Sequence, residues 1–435
     1  MKKWLTLLLT VAIALSMAAC GTSEPAATEA STEAALPTEY LPYEGETLTV
    51  LYMSGSHAET ALAMVPEFEA VTGAKVEVVE YPYEELHEEI LLDLISYVGT
   101  YDVINMDSRW DGEFAPYLEP LDDYIARDNY DMSVWIDNVL ANCGQWQDAV
   151  VGIPTSCMAH VFAYRTDLLP NGIPNTWYDY RRVLMSVNKP ASGVYAIAVS
   201  KAPDQVIDMF NRVLWTMGGQ WADEDWKVTV AGNAGRAAMN HFSMAKAYSD
   251  PECVNWTAED AVQAFLDGKA VVCETSPEQV ILKADDPSQS QIVGNWALGL
   301  IPHDKTSMTT LTAWDATIPV GSQNKDLAWE WIKMYTSSEM QNRIYDEHTI
   351  FSPRKAFWEQ EKMADLSVIR EALDSANNSW RIAAFLEAEP NMRTSMHSFL
   401  TGNLFLDTAI RQMESEVKTY LEIMPPQEGV KNYNH

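Results

Sequence analysis

Thr47-Leu48-Thr49-Val50-Leu51-Tyr52, then Val76-Glu77-Val78-Val79, then Tyr101-Asp102-Val103-Ile104-Asn105-Met106 are three β-rich runs separated by two helical ones. The first alternates apolar with polar residues, the pattern of a half-buried strand. Between the first two runs, Ala61, Leu62, Val65 and Phe68 recur at helical spacing, and Gly73 is a natural stop. Between the second and third, Leu86, Ile90 and Leu94 recur every four residues with Leu91 and Ile95 beside them. The order βαβαβ predicts a parallel sheet with helices on both faces. In such sheets ligands sit beyond the carboxyl ends of the strands. That directs attention to residues 53–59 and 107–111.

Downstream, Val150-Val151-Gly152-Ile153-Pro154 leads into a predicted strand at 161–164. A second α/β region is expected over 155–302, with helices at 204–217 and 258–266 and a strand at 271–274. After Trp314 a strand is expected at 316–320 and a helix at 325–335. From Ile350 onward the pattern is mostly helical.

Upstream, Lys2 and Lys3 precede a short apolar run that ends in Ser16-Met17-Ala18-Ala19-Cys20-Gly21. A basic start, an apolar core and small residues make a secretion signal over 1–19. The run is too short for a spanning helix, which needs about 20 apolar residues. Small residues before Cys20 resemble the lipobox of bacterial lipoproteins, which implies cleavage before Cys20 and acylation of its thiol. Plain secretion with cleavage after Ala19 is the alternative, and on either reading the protein works outside the cytoplasm. Residues 20–45 are rich in Thr, Ser, Glu, Ala and Pro, so a flexible, lipid-anchored tether is expected.

The formal charge is −33, and loss of Lys2 and Lys3 with the signal takes it to about −35. Such a chain is repelled by nucleic acid and by anionic membrane surfaces, so the only membrane contact expected is the lipid anchor. Cys143, Cys157, Cys253 and Cys273 show no metal-ligand spacing and read as core thiols. No HExxH or Cys/His cluster appears, nor a Gly-rich phosphate loop or GxSxG. No metal and no cofactor is expected.

Several runs occur in a telling order: Phe68-Glu69-Ala70-Val71-Thr72-Gly73, Tyr117-Leu118-Glu119-Pro120-Leu121-Asp122, and Val151-Gly152-Ile153-Pro154 ahead of Tyr164-Arg165-Thr166-Asp167-Leu168. Then come Ile173-Pro174-Asn175-Thr176-Trp177, Phe265-Leu266-Asp267-Gly268-Lys269-Ala270 and Ala328-Trp329-Glu330-Trp331-Ile332-Lys333. Together they resemble the extracellular solute-binding proteins of ABC importers, family 1, carbohydrate type. The resemblance implies a two-lobed α/β fold of the periplasmic-binding-protein type II. Each lobe would be a mainly parallel sheet flanked by helices, with hinge crossings between. It places one lobe at 46–153 plus 309–349 and the other at 154–308 plus 350–435. It also implies a monomer that holds solute between the lobes and delivers it to permease subunits, with no chemistry on the ligand.

Sugars offer hydroxyls and flat C–H faces, so a site for them combines aromatic platforms with carboxylates, amides and Arg. By the strand-end rule the candidates are Ser54, His57 and Glu59 after the first strand, and Asp107, Arg109 and Trp110 after the third. Asp107 is equally suited to capping the next turn, and Trp110 to packing. Trp314 and Asp315 form a second aromatic–acid pair. Trp221 follows Gly218-Gly219, Glu274 ends a predicted strand, and Arg354 either binds ligand or braces the hinge. Trp215, Trp329 and Trp331 read as core.

Two other function classes fit the composition. A secreted glycoside hydrolase needs two carboxylates about 5–10 Å apart, which sequence alone does not exclude. A surface receptor for a cationic solute such as a polyamine would also use acids and aromatics.

Overall fold

The computed structural model describes residues 41–378, 380–426, 430 and 432. The expected signal sequence, the expected lipidation site Cys20 and the tether up to residue 40 lie outside the described residues. At residues 41–45 the chain is already packed: Tyr43 N–H donates to Thr72 O at 2.9 Å and its ring lies on the first core.

In chain order the strands are β1 (Thr47–Met53), β2 (Lys75–Tyr81), β3 (Val103–Asp107), β4 (Gln145–Trp146), β5 (Ala149–Val150), β6 (Gly152–Ala159), β7 (Phe162–Arg165), β8 (Tyr195–Ala198), β9 (Ala270–Cys273), β10 (Trp296–Gly299), β11 (Thr309–Thr317) and β12 (Ala376–Asn377). The first sheet runs β2-β1-β3-β11, with β6 and β12 also paired to β11. Its β2-β1-β3 part is parallel, as the βαβαβ order predicts. The second sheet runs β10-β7-β9-β8. It departs from the expectation of mainly parallel strands: only β8–β9 is parallel, while β7–β9 and β10–β7 are antiparallel.

Helix α1 (Ser56–Thr72) ends where Gly73 takes φ 80°, a conformation glycine adopts without a Cβ penalty. Its buried face is Ala58, Ala61, Met64 and Phe68, and Leu62 faces outward. Helix α2 (Tyr83–Ser96) buries Leu86, Ile90 and Leu94 as its period predicts. The two helices cover opposite faces of the first sheet. One core joins Val50 and Phe68 to Trp329 and Trp331; the other joins Leu51, Ile104 and Ile90 to Trp110 and Trp314. A separate core built around Phe210, Trp215, Trp221, Phe242 and Phe385 supports the second sheet. Each such side chain taken out of water contributes about 1.5–3 kcal/mol.

β11 is the largest departure from expectation. A strand is predicted at 316–320, whereas the observed strand spans Thr309–Thr317 and carries Trp314 and Asp315 in its interior. Asp disfavours strands, so its presence in the strand interior is against local preference. The strand forms because it is paired on both sides, Trp314 with Asp107 of β3 and Leu311 with Ala159 of β6. β6 and β11 carry the chain between the two sheets. The segment 351–376 contributes Phe351, Phe357, Trp358 and Ile369 to a core with Ile136, Val139 and Cys157. All four cysteines named above are free and buried. Among the described residues no helix is long and apolar enough to cross a membrane.

Candidate ligand groove

Beyond β1 the chain turns at Gly55 and enters α1, and Ser54 N–H donates to Tyr81 O at 2.8 Å. This turn aims His57 across the end of the sheet. Its ring lies on Trp314, centroids 4.5 Å apart and tilted by 40°. Trp314 also meets Tyr83 and Trp110 edge-on at 6.2 and 6.3 Å. His57 and Tyr83 keep partial exposure, while Trp314 and Trp110 are buried. Burial lowers the His57 pKa to about 4, although Asn105 and Asp107 oppose the shift, so its ring is neutral at pH 7.

Asp107 ends β3 and its carboxylate is almost fully used. Oδ1 accepts from Arg109 N–H at 2.9 Å. Oδ2 accepts from Arg109 Nε and Nη2 at 3.1 and 2.9 Å and from Tyr83 Oη at 3.0 Å. Asp107 therefore caps the following turn and locks the Arg109 guanidinium in place. Arg109 also donates to Tyr83 Oη. The free side of the guanidinium looks toward the helix Val206–Thr216, where Nη1 stands 4.0 Å from Asp208 Oδ2.

The opposite wall comes from the second sheet. Asp208 is followed one helical turn later by Arg212, whose Nη1 donates to Thr310 Oγ1 of β11 at 3.2 Å. Burial brings the Arg212 pKa down to about 10. Glu274 sits just past β9, accepts from Tyr180 Oη at 2.5 Å, and is pushed up to about 7 by burial. His160 meets Glu274 O at 3.0 Å, and burial with Arg212 holds it well below its usual value. Glu278 is raised by burial. The Arg109–Asp208 contact thus brings the half-buried His57 and Tyr83 side of the first sheet next to the helix that carries Arg212, which itself reaches β11 at Thr310.

Of the residues singled out from sequence, the structure brings together His57, Asp107, Arg109, Trp110 and Trp314. Ser54 lies at the edge of this group, and Glu274 belongs to the facing wall. Glu59 is exposed and reaches His348 Nδ1 at 3.4 Å. Trp221 is in the second core, its Nε1 donating to Asn211 Oδ1 at 2.6 Å. Arg354 donates to Thr336 O at 2.7 Å and its guanidinium lies over the Trp135 ring at 4.9 Å. Asp315 is fully buried on β11, and neither carboxylate oxygen has a hydrogen-bond partner. Burial and the neighbouring Asp111 raise its pKa well above the usual range, which favours the neutral acid. Asp111 itself is pushed up to about 7 by burial, though Arg381 Nη1 donates to it at 2.9 Å.

No local motif singles out Tyr83, Asp208, Arg212 or Glu278. The one available signal is Asp208 and Arg212 at i and i+4 within the apolar run Val206, Ile207, Met209, Phe210, Val213 and Leu214.

Residues 54–342 match the family model of the bacterial extracellular solute-binding proteins. The chain belongs to this family. A probable amino-acid ABC transporter periplasmic-binding protein of Sinorhizobium fredii is 25% identical over 320 residues, covering 69% of this chain and 71% of that one. The fold is that of the family's two-lobed members. The maltose-bound MalE3 of T. maritima superposes with TM-score 0.75 at 22% identity, over 86% of this chain and 99% of that one. A ribitol-bound solute-binding protein of Agrobacterium radiobacter K84 gives TM-score 0.75 at 22% identity, over 87% and 99%.

Proposed function

We propose that this chain captures a carbohydrate, as oligosaccharide, sugar or polyol, in the groove between its lobes and delivers it unaltered to the permease subunits of an ABC importer. The observation that carries this is the half-buried His57 and Tyr83, backed by the buried Trp314, beside the Arg109–Asp208 contact. Aromatic rings beside charged donors and acceptors are the combination a sugar requires. The maltose and ribitol held by two proteins of the same fold support the ligand class. The lipobox-like run before Cys20 supports lipid attachment to the outer face of the cytoplasmic membrane.

One observation favours a second ligand class. The Sinorhizobium relative is named for amino acids, and Arg109 with Asp208 offers opposite charges to a zwitterion. A thermal-shift panel of sugars, polyols, amino acids and amines separates the two. Ligand at a hundredfold excess over Kd stabilises the fold by about 2.7 kcal/mol. Sugars or polyols raising Tm, with amino acids inert and no product released over hours, is the expected result. A shift with amino acids alone would reject the carbohydrate assignment.

A further inference from the structure

Asp and Glu number 62 in 435 residues, yet they are spread unevenly. The two longest runs without either are residues 180–203 and 226–249, of 24 residues each. Helix Trp177–Val187 enters the first run and helix Asn233–Ala247 lies in the second. The two helices touch, with the Trp177 and His241 ring centroids 4.4 Å apart. The first helix buries Trp177, Tyr180 and Leu184 in the second core. Its other side carries Tyr178, Arg182 and Met185 at i, i+4 and i+7. Tyr178 and Met185 are 68% and 63% exposed, and the Arg182 side chain is equally open. The exposed turn Lys189–Ser192 follows the helix. Arg182 has only Asp179, 4.0 Å away. Arg181 Nε is buried without a hydrogen-bond partner, and among the described residues Arg181 and Lys189 form no ion pair. With 62 acids for 29 bases, unpaired bases gathered on one helix mark a surface from which acids are kept out.

Lipid attachment through Cys20, on which this inference rests, holds the protein beside a bilayer whatever its net charge. The choice that remains is which face turns to the lipid. Salt screens charges over about 8 Å, so the nearest face decides and the acids on distant faces act weakly. Acid-rich faces are repelled by anionic headgroups. Each Arg or Lys brought to such a surface favours contact roughly fivefold, so three of them favour it about a hundredfold. Arg181, Arg182 and Lys189 supply those three charges. Tyr178 and Met185 suit the headgroup layer, and the long Arg stems let their charged ends reach phosphate. We infer that the outer face of helix Trp177–Val187, with Lys189, is a docking surface for anionic phospholipid and sets how the tethered protein sits on the membrane. None of these residues is among those of the ligand groove.

The test uses the mature chain with a hexahistidine tag in place of Cys20, held on vesicles through a nickel-chelating lipid. The vesicles are phosphatidylcholine with or without phosphatidylglycerol. A polarity-sensitive fluorophore is attached at Ser186→Cys on the proposed face. For comparison it is attached at Val71→Cys, which is 59% exposed on the helix that carries Glu67 and Glu69. The native thiols are buried and stay unlabelled. With phosphatidylglycerol, emission from position 186 should shift to the blue and that from position 71 should not. Without it, neither should shift. Arg181→Glu with Arg182→Glu should lower the ratio of docked to undocked protein at least about tenfold, or about 1.4 kcal/mol. Lys189→Glu, at an exposed position, repeats the test where the double variant folds poorly. Salt at about 1 M shortens screening to about 3 Å and should release the face. No blue shift at position 186 on anionic vesicles overturns the proposal. So does an equal shift on phosphatidylcholine alone, an equal shift at position 71, or a shift that survives the charge reversals. A shift that grows with protein density on the vesicle overturns it in favour of an acidic face of a second copy. The tag supplies the attachment, so each result stands apart from whether Cys20 is acylated and from what the groove binds.

Discussion

Arg109 Nη1 stands 4.0 Å from Asp208 Oδ2, joining the turn after β3 to the first helix turn of the opposite wall. The Arg109 end is rigid, because Asp107 and Tyr83 hold its guanidinium from the other side. The contact is long and the Asp208 side chain is 37% exposed, so it contributes at most about 1 kcal/mol. A contact of that size biases the angle between the walls without fixing it.

Asp208→Asn should therefore shift the balance of open and closed forms by a factor of about 2–5, the equivalent of 0.5–1 kcal/mol. Small-angle scattering without ligand should show a slightly larger radius of gyration than wild type. Saturating ligand should restore the wild-type value.

Trp314→Ala removes a 95% buried ring that touches His57, Tyr83 and Trp110. The expected cost is about 3–5 kcal/mol in chemical denaturation without ligand. Trp314→Phe keeps most of the contact and should cost less. A loss under 1 kcal/mol for the alanine variant would mean that the ring cluster does not form.

β11 shows why sequence and structure part company at some places and agree at others. β1, β2, β3 and the Gly73 stop are legible because each is local: alternation, a helical period, a residue suited to positive φ. Arg109 is legible by the same logic, as a strand-end residue of a parallel sheet. β11 is not, because its stability comes from partners more than 150 residues away in β6 and 200 away in β3. The antiparallel edges of the second sheet are hidden for a related reason. β7 and β10 are four residues each, too short to carry a direction-specific pattern. Of the facing wall only Glu274 is legible, again as a strand-end residue, while Asp208 and Arg212 escape because they become its neighbours only once that sheet has formed.

Gly152 and Asp315 supply a test of that long-range packing. A Cβ on Gly152 would lie 2.0 Å from Asp315 Oδ2 and 2.9 Å from Thr317 Cγ2. Gly152→Ala should destabilise the protein by about 1–3 kcal/mol, the usual cost of overpacking. Asp315→Ala in the same chain removes the atom that clashes and should recover much of the loss. A double-mutant cycle on denaturation midpoints reads the coupling directly. Strict additivity would show that the two residues do not meet.

Glu274 gives a pH dependence whose sign is fixed. Its carboxyl ordinarily titrates near 4.5, and burial raises it to about 7 in the folded protein. Between those values the folded state holds a proton that the unfolded state has lost, so stability falls as pH rises from 4.5 to 7. Glu274→Gln keeps an acceptor for Tyr180 and removes the titration. The stability of wild type relative to this variant should therefore drop by about 3 kcal/mol across that window and stay level above it. His57, held near 4 from an ordinary 6.5, acts in the opposite direction between 4 and 6.5 and is common to both proteins, so the comparison isolates Glu274. A flat difference between pH 4.5 and 7 would show that Glu274 is not buried as described.

The four buried cysteines have a consequence for a protein of a family that works outside the cytoplasm. Burial raises the thiols of Cys143, Cys157 and Cys273, so the reactive thiolate is scarce while the fold is intact. Air, peroxide and alkylating reagents thus reach these four thiols only once the chain opens. Once opened, the same thiols can pair at random and bar the way back. Oxidant then converts a passing excursion into permanent loss, so inactivation through these cysteines follows how often the chain unfolds and not how fast a thiol is attacked.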